Sequence, residues 1–335
     1  MDELRIGVIG TGGIGRDHIR RITHIITGAK VVAVSDINKG VAQEVAQQYG
    51  AKFYNSGEEL IASPEVDAVV VTSSDQTHAK YVLACIASGK YVLCEKPLAS
   101  TAKDCLEIVE AETAYGKRIV QVGFMRRFDR GYQALKEVIK SGKIGAPLLI
   151  HACHRNRSHI PEFTSDMVIV TSGIHEIDIS RWLLDEDYES GQVLTGKQNR
   201  NSKTGLIDPQ IMLLKTKSGV LIDVEVNLCS GYGYDIQCEV VGERGTVRLP
   251  DPNTVLVRSE GQRSYQIYSE WSERFIEAYD IEFQQWVNAI KKDAIDGPSA
   301  WDGYSACIAS DALIKSRNNS TVEPIVTGER PPLYK

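Results

Sequence analysis

The first 125 residues alternate between two hydrophobic periods, and this alternation constrains the fold more than any other feature of the chain. Five apolar runs are strand-like, namely LRIGVIG, KVVAVSD, VDAVVVTS, YVLCEKP and RIVQVGF. The stretches between them, such as KGVAQEVAQQYG and TAKDCLEIVEAETAYGK, have helical spacing. Continuously apolar strands separated by helices predict a parallel sheet covered on both faces. We therefore expect an α/β fold that starts with a doubly wound Rossmann domain over residues 1–125.

The pattern changes after residue 125. One more helix, FDRGYQALKEVIKSGKIG, precedes strand-like runs with little helix between them: APLLIHACHR, IMLLKTKSGVLIDVEVNL, YDIQCEVVGERGTVRLP, TVLVRS and SYQIYSEW. Short turns at 217–219 and 243–245 make successive strands antiparallel neighbours. Helices are predicted near 173–184, 273–293 and 300–317. We predict a second α/β domain over 126–335 with a large, open, mostly antiparallel sheet; its late helices are candidates to pack on the first domain.

Composition excludes several classes of function. A length of 335 residues suits two domains, and a net charge of -6 argues against binding nucleic acid. No apolar run reaches the roughly 18 residues that cross a bilayer, and the N-terminal sequence lacks a secretion signal. The seven cysteines form no C-x-x-C pair. We expect reduced thiols, no metal site and a cytoplasmic location, with no nucleic-acid or membrane partner.

The first strand runs into a G-x-G-x-x-G motif, whose residues include Gly10, Gly12, Gly13, Ile14 and Gly15. The motif follows a strand and opens a helix, which is the context of a dinucleotide site. There the first glycine makes the turn, the second admits a pyrophosphate, and the third lets helix and strand pack closely. A purely structural turn is the alternative reading, and FAD is the alternative cofactor.

Asp36 ends the second strand, 21 residues after Gly15. Its carboxylate suits the adenosine-ribose hydroxyls and repels a 2′-phosphate, and no arginine occurs at Ile37 or the two residues after it. NAD is therefore favoured over NADP. Ser73, Ser74 and His78 follow the fourth strand, where the nicotinamide half is expected, although a plain loop before a capped helix explains them equally well.

Glu95 and Lys96 lie at the end of another strand, before Pro97. Because ligands bind at the carboxyl edge of a doubly wound sheet, we assign both residues to the cofactor site and Lys96 also to catalysis. Oxidation of a secondary alcohol needs a cation beside the developing alkoxide and a base for the hydroxyl proton. The alternative is an ordinary surface lysine.

The motifs GTGGIG, ASGKYVLCEKP and GFMRRFD resemble the Gfo/Idh/MocA oxidoreductase family, and the likeness covers essentially the full chain. Further stretches, GIHEID (173–178), YGYDIQCEVVGE (232–243) and RFIEAYDIEF (274–283), resemble members that act on a cyclitol. The resemblance implies NAD-dependent oxidation of myo- or scyllo-inositol to the inosose, as in inositol catabolism. It also implies homodimers or homotetramers formed by sheets packed face to face.

The resemblance also implies residue roles. Lys96 contacts both nicotinamide and substrate, often with a cis bond to the following proline, and His175 is the catalytic base. The remaining residues assigned to the substrate are Arg126, His154, Asn156, Thr171 and Tyr234.

The sequence departs from the family pattern at Thr171, where the members that act on a cyclitol usually carry an aspartate that orients the histidine. A threonine supplies no charge, so His175 is expected to be a weaker base. Partial substitution by Asp178, a higher pH optimum and a different substrate isomer are three alternative consequences. Two other functions stay open: a sugar dehydrogenase of the same family acting on an aldose such as glucose, and a regulator that senses NAD without turnover.

Overall fold

The computed structural model describes residues 3–250 and 255–335. The chain divides into two compact units. The first comprises Met1–Phe124, Tyr279–Cys307 and Thr327–Lys335, and the second comprises Met125–Ala278 and Ile308–Val326.

The first unit contains a parallel sheet of six strands in the order β3-β2-β1-β4-β5-β6. The strands are β1 (Leu4–Ile9), β2 (Ala29–Ser35), β3 (Lys52–Phe53), β4 (Ala68–Val71), β5 (Tyr91–Glu95) and β6 (Val120–Gly123). This order places the switch point between β1 and β4, where doubly wound sheets bind nucleotides. The predicted Rossmann sheet is confirmed, and the two-residue strand β3 is an addition to it.

Five helices alternate with these strands: α1 (Gly13–His24), α2 (Lys39–Tyr49), α3 (Gly57–Ala62), α4 (Asp75–Ala87) and α5 (Ala102–Tyr115). Side-chain caps begin three of them, because Asn38, Ser56 and Thr101 each accept a backbone N–H from the first turn. Gly50 and Gly116 cap α2 and α5 in the left-handed conformation, as predicted.

Residues from late in the chain complete the core of the first unit. Ile6 and Val8 of β1 are fully buried, and so are Phe283 and Val287 from helix α9 (Ile276–Lys291). These aromatic and branched side chains fill the space beside α1, so the nucleotide-binding half depends on sequence about 260 residues away.

The second unit is built on a sheet of seven strands in the order β12-β11-β7-β10-β9-β8-β15. The strands are β7 (Pro147–Arg155), β8 (Tyr188–Thr195), β9 (Gln210–Thr216), β10 (Leu221–Asn227), β11 (Asp235–Gly242), β12 (Gly245–Arg248) and β15 (Glu323–Pro324). The pair β7–β10 is parallel, and the five other pairs are antiparallel. The predicted large, mostly antiparallel sheet is therefore confirmed.

Four of the five remaining helices of the described chain lie at predicted positions, and the shortest was not predicted as a separate helix. The five are α6 (Arg130–Lys140), α7 (Ile174–Leu184), the short α8 (Trp271–Arg274), α9, and α10 (Ala300–Asn319). A π-helical turn, Val168–Gly173, leads directly into α7. No helix in residues 3–250 and 255–335 is both long enough and apolar enough to cross a membrane.

One sequence expectation in this unit is wrong, and one strand was not predicted. The run SYQIYSEW (264–271) was expected to form a strand, but strand β14 (Gln262–Ser264) ends where that run begins. Its side chains are mostly exposed, so the alternation of apolar residues there reflects no buried sheet face. The predicted strand TVLVRS contains Thr254, outside the described residues, and is observed as β13 (Val257–Ser259), which pairs with β14. Strand β8 was not predicted, because YESGQVLT has polar residues at its start and a glycine in its middle.

Candidate functional site

The Gly-rich loop joins β1 to α1, and two of its glycines are required by close packing. A Cβ on Gly10 would lie 2.5 Å from the carbonyl of Thr72, and the residue has φ +99°. A Cβ on Gly15 would lie 2.0 Å from the carbonyl oxygen of Gly10. Both positions therefore exclude any larger residue, as the motif predicts.

The other two glycines of the loop face open space. A Cβ on Gly12 or Gly13 would meet no heavy atom within 4 Å. Gly12 is the N-cap of α1 and supplies no side-chain cap to the backbone N–H groups of the first turn, which includes Ile14. Unfilled space beside a helix N-terminus suits a phosphate group, which the N–H groups and the helix dipole attract. The loop therefore fits a dinucleotide pyrophosphate.

Asp36, just after β2, fixes the Gly-rich loop. Its carboxylate accepts hydrogen bonds from the Thr11 backbone N–H at 2.5 Å and from the Thr11 hydroxyl at 3.1 Å. The Asn38 backbone N–H also donates to it, at 2.8 Å. The neighbouring Ile37 side chain is fully exposed, as a residue that covers an adenine would be. The Asp36 carboxylate thus holds the Gly-rich loop, and its role at the ribose stays a prediction.

His78 connects the loop after β4 with the segment after Lys96. Its Nδ1 lies 2.7 Å from the carbonyl oxygen of Pro97, and its Nε2 lies 3.0 Å from that of Ser73. The ring is buried, whereas Ser74 at the N-cap of α4 is exposed. The structure therefore gives His78 an organising place in this loop, beside the serines.

Glu95 ends β5, and its carboxylate is buried. His18 Nε2 lies 2.8 Å from one carboxylate oxygen, and the Lys96 backbone N–H donates to the other at 3.2 Å. Burial pushes the pKa of Glu95 upward, but the contacts with His18 and Lys96 outweigh it and hold the pKa below its usual value. Lys96 itself is half exposed, and the Lys96–Pro97 bond is cis, as the family resemblance implied.

In the second unit, Arg126, His154 and Glu176 form a buried charged cluster. Arg126 Nη1 is ion-paired with Glu176, and His154 Nδ1 lies 2.9 Å from the second oxygen of that carboxylate. Arg126 Nη2 approaches the same His154 nitrogen at 3.2 Å. His154 Nδ1 can either accept a hydrogen bond from Arg126 or donate one to Glu176. Donation to the charged carboxylate is the stronger hydrogen bond. This tautomer leaves the lone pair on Nε2 for a ligand hydroxyl.

Burial alone would raise the pKa of Glu176, yet Arg126 and His154 hold it below the usual value for glutamate. The pKa of Arg126 is raised, because the nearby carboxylate outweighs the opposing effect of burial. The cluster is therefore a charged one at neutral pH, with the guanidinium fixed by its partner and stacked 5.4 Å from the ring of Phe275.

Tyr234 packs against this polar cluster, and Asn156 follows His154 by two residues. The Tyr234 ring packs edge-on against His154 with 5.7 Å between centroids, and burial raises the pKa of its phenol to about 12. Oδ1 of Asn156 is buried and accepts no hydrogen bond from the described residues. Because unsatisfied buried polar atoms are uncommon in folded proteins, this oxygen points to a polar ligand.

His175 is the second residue of α7, and Thr171 lies in the preceding π-helical turn. His175 is buried, and its ring centroid is 6.4 Å from that of His154. Asp178, one turn further along, accepts hydrogen bonds from Arg127 at Oδ2 (2.9 Å) and Oδ1. Arg127 is therefore held in an ion pair with Asp178.

The structure brings the predicted residues together in two groups, one in each unit. The nucleotide residues and Lys96 belong to the first unit, and His175 lies with the predicted substrate residues in the second. The convergence of Lys96 and His175 on one carbon stays a prediction. Sequence reasoning missed Glu176 and His18. Glu176 directly follows His175, and a carboxylate buried beside a predicted site arginine was the signal that could have found it.

A glycine-rich β1–α1 loop with a carboxylate after β2, together with a second unit that carries a buried polar cluster, defines a dinucleotide-dependent oxidoreductase. Comparison with known protein families supports this class. Residues 4–124 match the family model for an oxidoreductase family with an NAD-binding Rossmann fold, and residues 136–325 match the model for its C-terminal alpha/beta domain. The chain belongs to the Gfo/Idh/MocA oxidoreductase family.

Relatives extend this similarity to full length. The chain is 53% identical over 334 residues to an inositol 2-dehydrogenase of Burkholderia cenocepacia, covering 99% of both chains. It is 52% identical to an inositol 2-dehydrogenase of Azotobacter vinelandii, covering 99% of this chain and 98% of the relative. Among solved structures, a myo-inositol dehydrogenase from Lactobacillus casei in complex with NAD(H) and myo-inositol matches with a TM-score of 0.97. That match has 39% identity and covers 99% of this chain and all of the other.

Proposed function

We propose that this protein oxidises a secondary hydroxyl of myo- or scyllo-inositol to the ketone, with NAD as the acceptor. The observation that carries this proposal is the 53% identity, over essentially the whole of both chains, to an inositol 2-dehydrogenase. The buried cluster of polar side chains in the second unit supports a polyhydroxylated substrate, since such a ligand needs many directed hydrogen bonds.

The residues of the first unit that would hold NAD are those of the Gly-rich loop, Asp36, Ile37, Ser73 and Ser74, with His78 and Glu95 shaping the edge. Open space at Gly12 and Gly13 supports the pyrophosphate position. The Asp36 carboxylate supports NAD over NADP, because it would repel a 2′-phosphate. When bound, NAD supplies the nicotinamide ring that accepts a hydride.

Two residues of this chain are proposed to handle the substrate hydroxyl. Lys96 would place its ammonium beside the oxygen and stabilise the developing negative charge. His175 would accept the hydroxyl proton on an imidazole nitrogen, since imidazole titrates near neutral pH. Both roles rest on the family resemblance and on the position of Lys96 at the carboxyl end of β5.

Arg126, His154, Asn156, Thr171 and Tyr234 are proposed to bind the ring hydroxyls. Glu176 fixes the first two of these, so their donors and acceptors are oriented before a substrate arrives. A mismatched hydroxyl would leave one of these buried groups unsatisfied, at a cost of about 1–3 kcal/mol. That penalty is large enough to separate isomers that differ at one carbon.

The working protein is proposed to be a cytoplasmic homodimer or homotetramer. One face of the seven-stranded sheet is packed by α7, and the other presents paired charges such as Arg155–Glu225 and His151–Asp223. We propose that this second face meets the same face of another copy, as the family resemblance implies. All seven cysteines are free thiols and buried, which supports a reducing compartment. Light scattering of the purified protein tests the assembly.

A substrate panel tests the reaction. Purified protein is incubated with NAD or NADP and with myo-inositol, scyllo-inositol, glucose or another aldose, and reduced cofactor is followed by absorbance. We expect turnover with an inositol and NAD, and loss of turnover in Lys96→Met and His175→Asn with NAD binding retained in His175→Asn. Turnover with aldoses alone would favour a sugar dehydrogenase. Tight NAD binding with no turnover on any substrate would favour a sensor.

A further inference from the structure

A buried chain of polar side chains links helix α1 to the end of β5 in the first unit. It runs from Asp280 through Arg21 and His18 to Glu95, which precedes Lys96. Arg21 Nε donates to Asp280 at 2.7 Å, Arg21 Nη1 lies 2.8 Å from His18 Nδ1, and His18 Nε2 lies 2.8 Å from Glu95. His18 is completely buried and Arg21 is 1% exposed.

The contact with Arg21 fixes the tautomer of His18. A guanidinium has only N–H donors, so His18 Nδ1 must accept from it. The ring proton is therefore on Nε2, where it donates to the Glu95 carboxylate. Arg21 is held in turn by a second carboxylate, Asp17, at 2.9 Å, and stacks 5.0 Å from the ring of Tyr279. The imidazole has one orientation and one direction of donation.

The Glu95 carboxylate is enclosed on its remaining sides. A Cβ on Gly123 of β6 would lie 3.1 Å from the carboxylate, so a side chain at that position would crowd it. Cys94, which precedes Glu95 on β5, is also buried. Phe283 covers the His18 ring, with 4.5 Å between centroids. The hydrogen bond from His18 and the charge of Lys96 both lower the pKa of this carboxylate, against the effect of burial. A rigid anion therefore lies directly next to the lysine assigned to catalysis.

We propose that His18 is a positioning residue for Lys96, acting through Glu95. Through this chain, α1, which begins at the phosphate-binding loop, also fixes the backbone of Lys96 and keeps a negative charge beside its ammonium. The inference rests on the proposed function, because it takes Lys96 as the residue that contacts the substrate oxygen. What is new is the role of His18, whose Nε2–H orients Glu95 and thereby sets the position of Lys96.

Three variants test the proposal. His18→Phe keeps a ring in the space but removes the donor, and His18→Gln restores an N–H near the position of Nε2. Ile19→Val, on the next residue of α1, is the matched control for a small loss of packing. We expect His18→Phe to lower kcat by about tenfold to hundredfold with little change in the KM for NAD. His18→Gln should recover most of that loss, and Ile19→Val should keep the wild-type kcat.

Two readouts separate positioning from general loss of stability. Without the His18 donor, Glu95 should bind its proton at higher pH, so the acid limb of kcat should move to higher pH in His18→Phe. The same shift should appear in the cofactor-free protein as a change in the carboxyl carbon titration of Glu95, followed by NMR with labelled glutamate and assigned with Glu95→Gln. His18→Gln should titrate like the wild type.

The proposal is overturned if His18→Phe lowers the melting temperature but leaves the acid limb and the Glu95 titration unchanged. It is also overturned if kcat falls equally in His18→Phe, His18→Gln and Ile19→Val. Failure of the proposed function looks different, since the wild-type protein would then oxidise no cyclitol. In that case the ε-carbon NMR titration of Lys96 in Glu95→Gln against wild type decides the inference: a lower midpoint supports it, and an unchanged midpoint contradicts it.

Discussion

The carboxylate of Asp36 accepts a hydrogen bond from the backbone N–H of Thr11, at 2.5 Å. The residue expected to read the ribose is thus also a support of the Gly-rich loop. A substitution at this position therefore changes the charge at the ribose and the order of the loop together, and experiments on cofactor choice have to separate the two effects.

The double variant Asp36→Ser/Ile37→Arg is expected to shift preference from NAD toward NADP. It removes a repelling carboxylate and adds a cation for the 2′-phosphate, so the ratio of kcat/KM values should change by about tenfold to hundredfold. Steady-state kinetics with both cofactors measures this ratio. Asp36→Asn is the matched control, because its amide oxygen can still accept from Thr11 while its charge is lost. Unchanged selectivity in the double variant would show that the ribose binds elsewhere.

Glu176→Leu is expected to destabilise the second unit by roughly 3–5 kcal/mol, because it leaves the Arg126 guanidinium buried without its partner. The double variant Arg126→Met/Glu176→Leu should cost less than this single variant, since no uncompensated charge remains. Urea denaturation measures the free energies of unfolding. A double variant that is less stable than Glu176→Leu would contradict the view that the unpaired charge dominates.

The buried carboxyl group of Glu112 is expected to make the stability of the first unit depend on pH. Its carboxylate accepts from the backbone N–H groups of Ile119 (2.6 Å) and Val120 (2.7 Å), and Tyr334 contacts the second oxygen at 2.6 Å. Burial is the largest influence and raises the pKa of Glu112 above its usual value despite these contacts. Since the folded state holds the proton more tightly than the unfolded state, stability falls as the pH rises from about 4.3 through the folded pKa.

The measurement for Glu112 is the urea midpoint of wild type and Glu112→Gln at several pH values between 4 and 8. Because glutamine does not titrate, the wild type should lose stability relative to the variant as the pH rises across that range. Tyr334→Phe is the control that removes one contact but leaves the carboxyl group. A difference between wild type and Glu112→Gln that stays constant with pH would contradict the prediction.

Much of this architecture follows from local sequence patterns. The short, largely apolar runs at β1, β4 and β5 favour buried parallel strands because helical stretches separate them, and the short turns at 217–219 and 243–245 predict the antiparallel pairs. Sterics explain why two positions of the loop are glycine, because a Cβ at Gly10 or Gly15 would collide with backbone atoms.

What sequence patterns could not supply are partners far apart in the chain. Arg126 and Glu176 are 50 residues apart, and His18 and Glu95 are 77 apart, so neither pair leaves a periodic signal. Strand β8 was missed for a related reason. Its pairing with β9 decides its structure, whereas its local composition does not favour a strand. The opposite error occurred at 264–271, where alternating apolar residues predicted a strand although the side chains are mostly exposed.

Thr171→Asp is expected to move the acid limb of the pH–rate profile to higher pH, by about one unit or more. By the same physical reasoning, the threonine itself lowers the acid limb, so a higher pH optimum is not the expected consequence of the missing aspartate. Thr171 and His175 are four residues apart on continuous helical backbone, so a carboxylate at 171 would be within reach of the imidazole and would favour its charged form. The pH dependence of kcat/KM with each inositol isomer measures the effect. Thr171→Asn, similar in size but uncharged, should leave the limb in place. If both variants change the preferred isomer and neither moves the limb, the side chain at 171 acts on the substrate and not on the base.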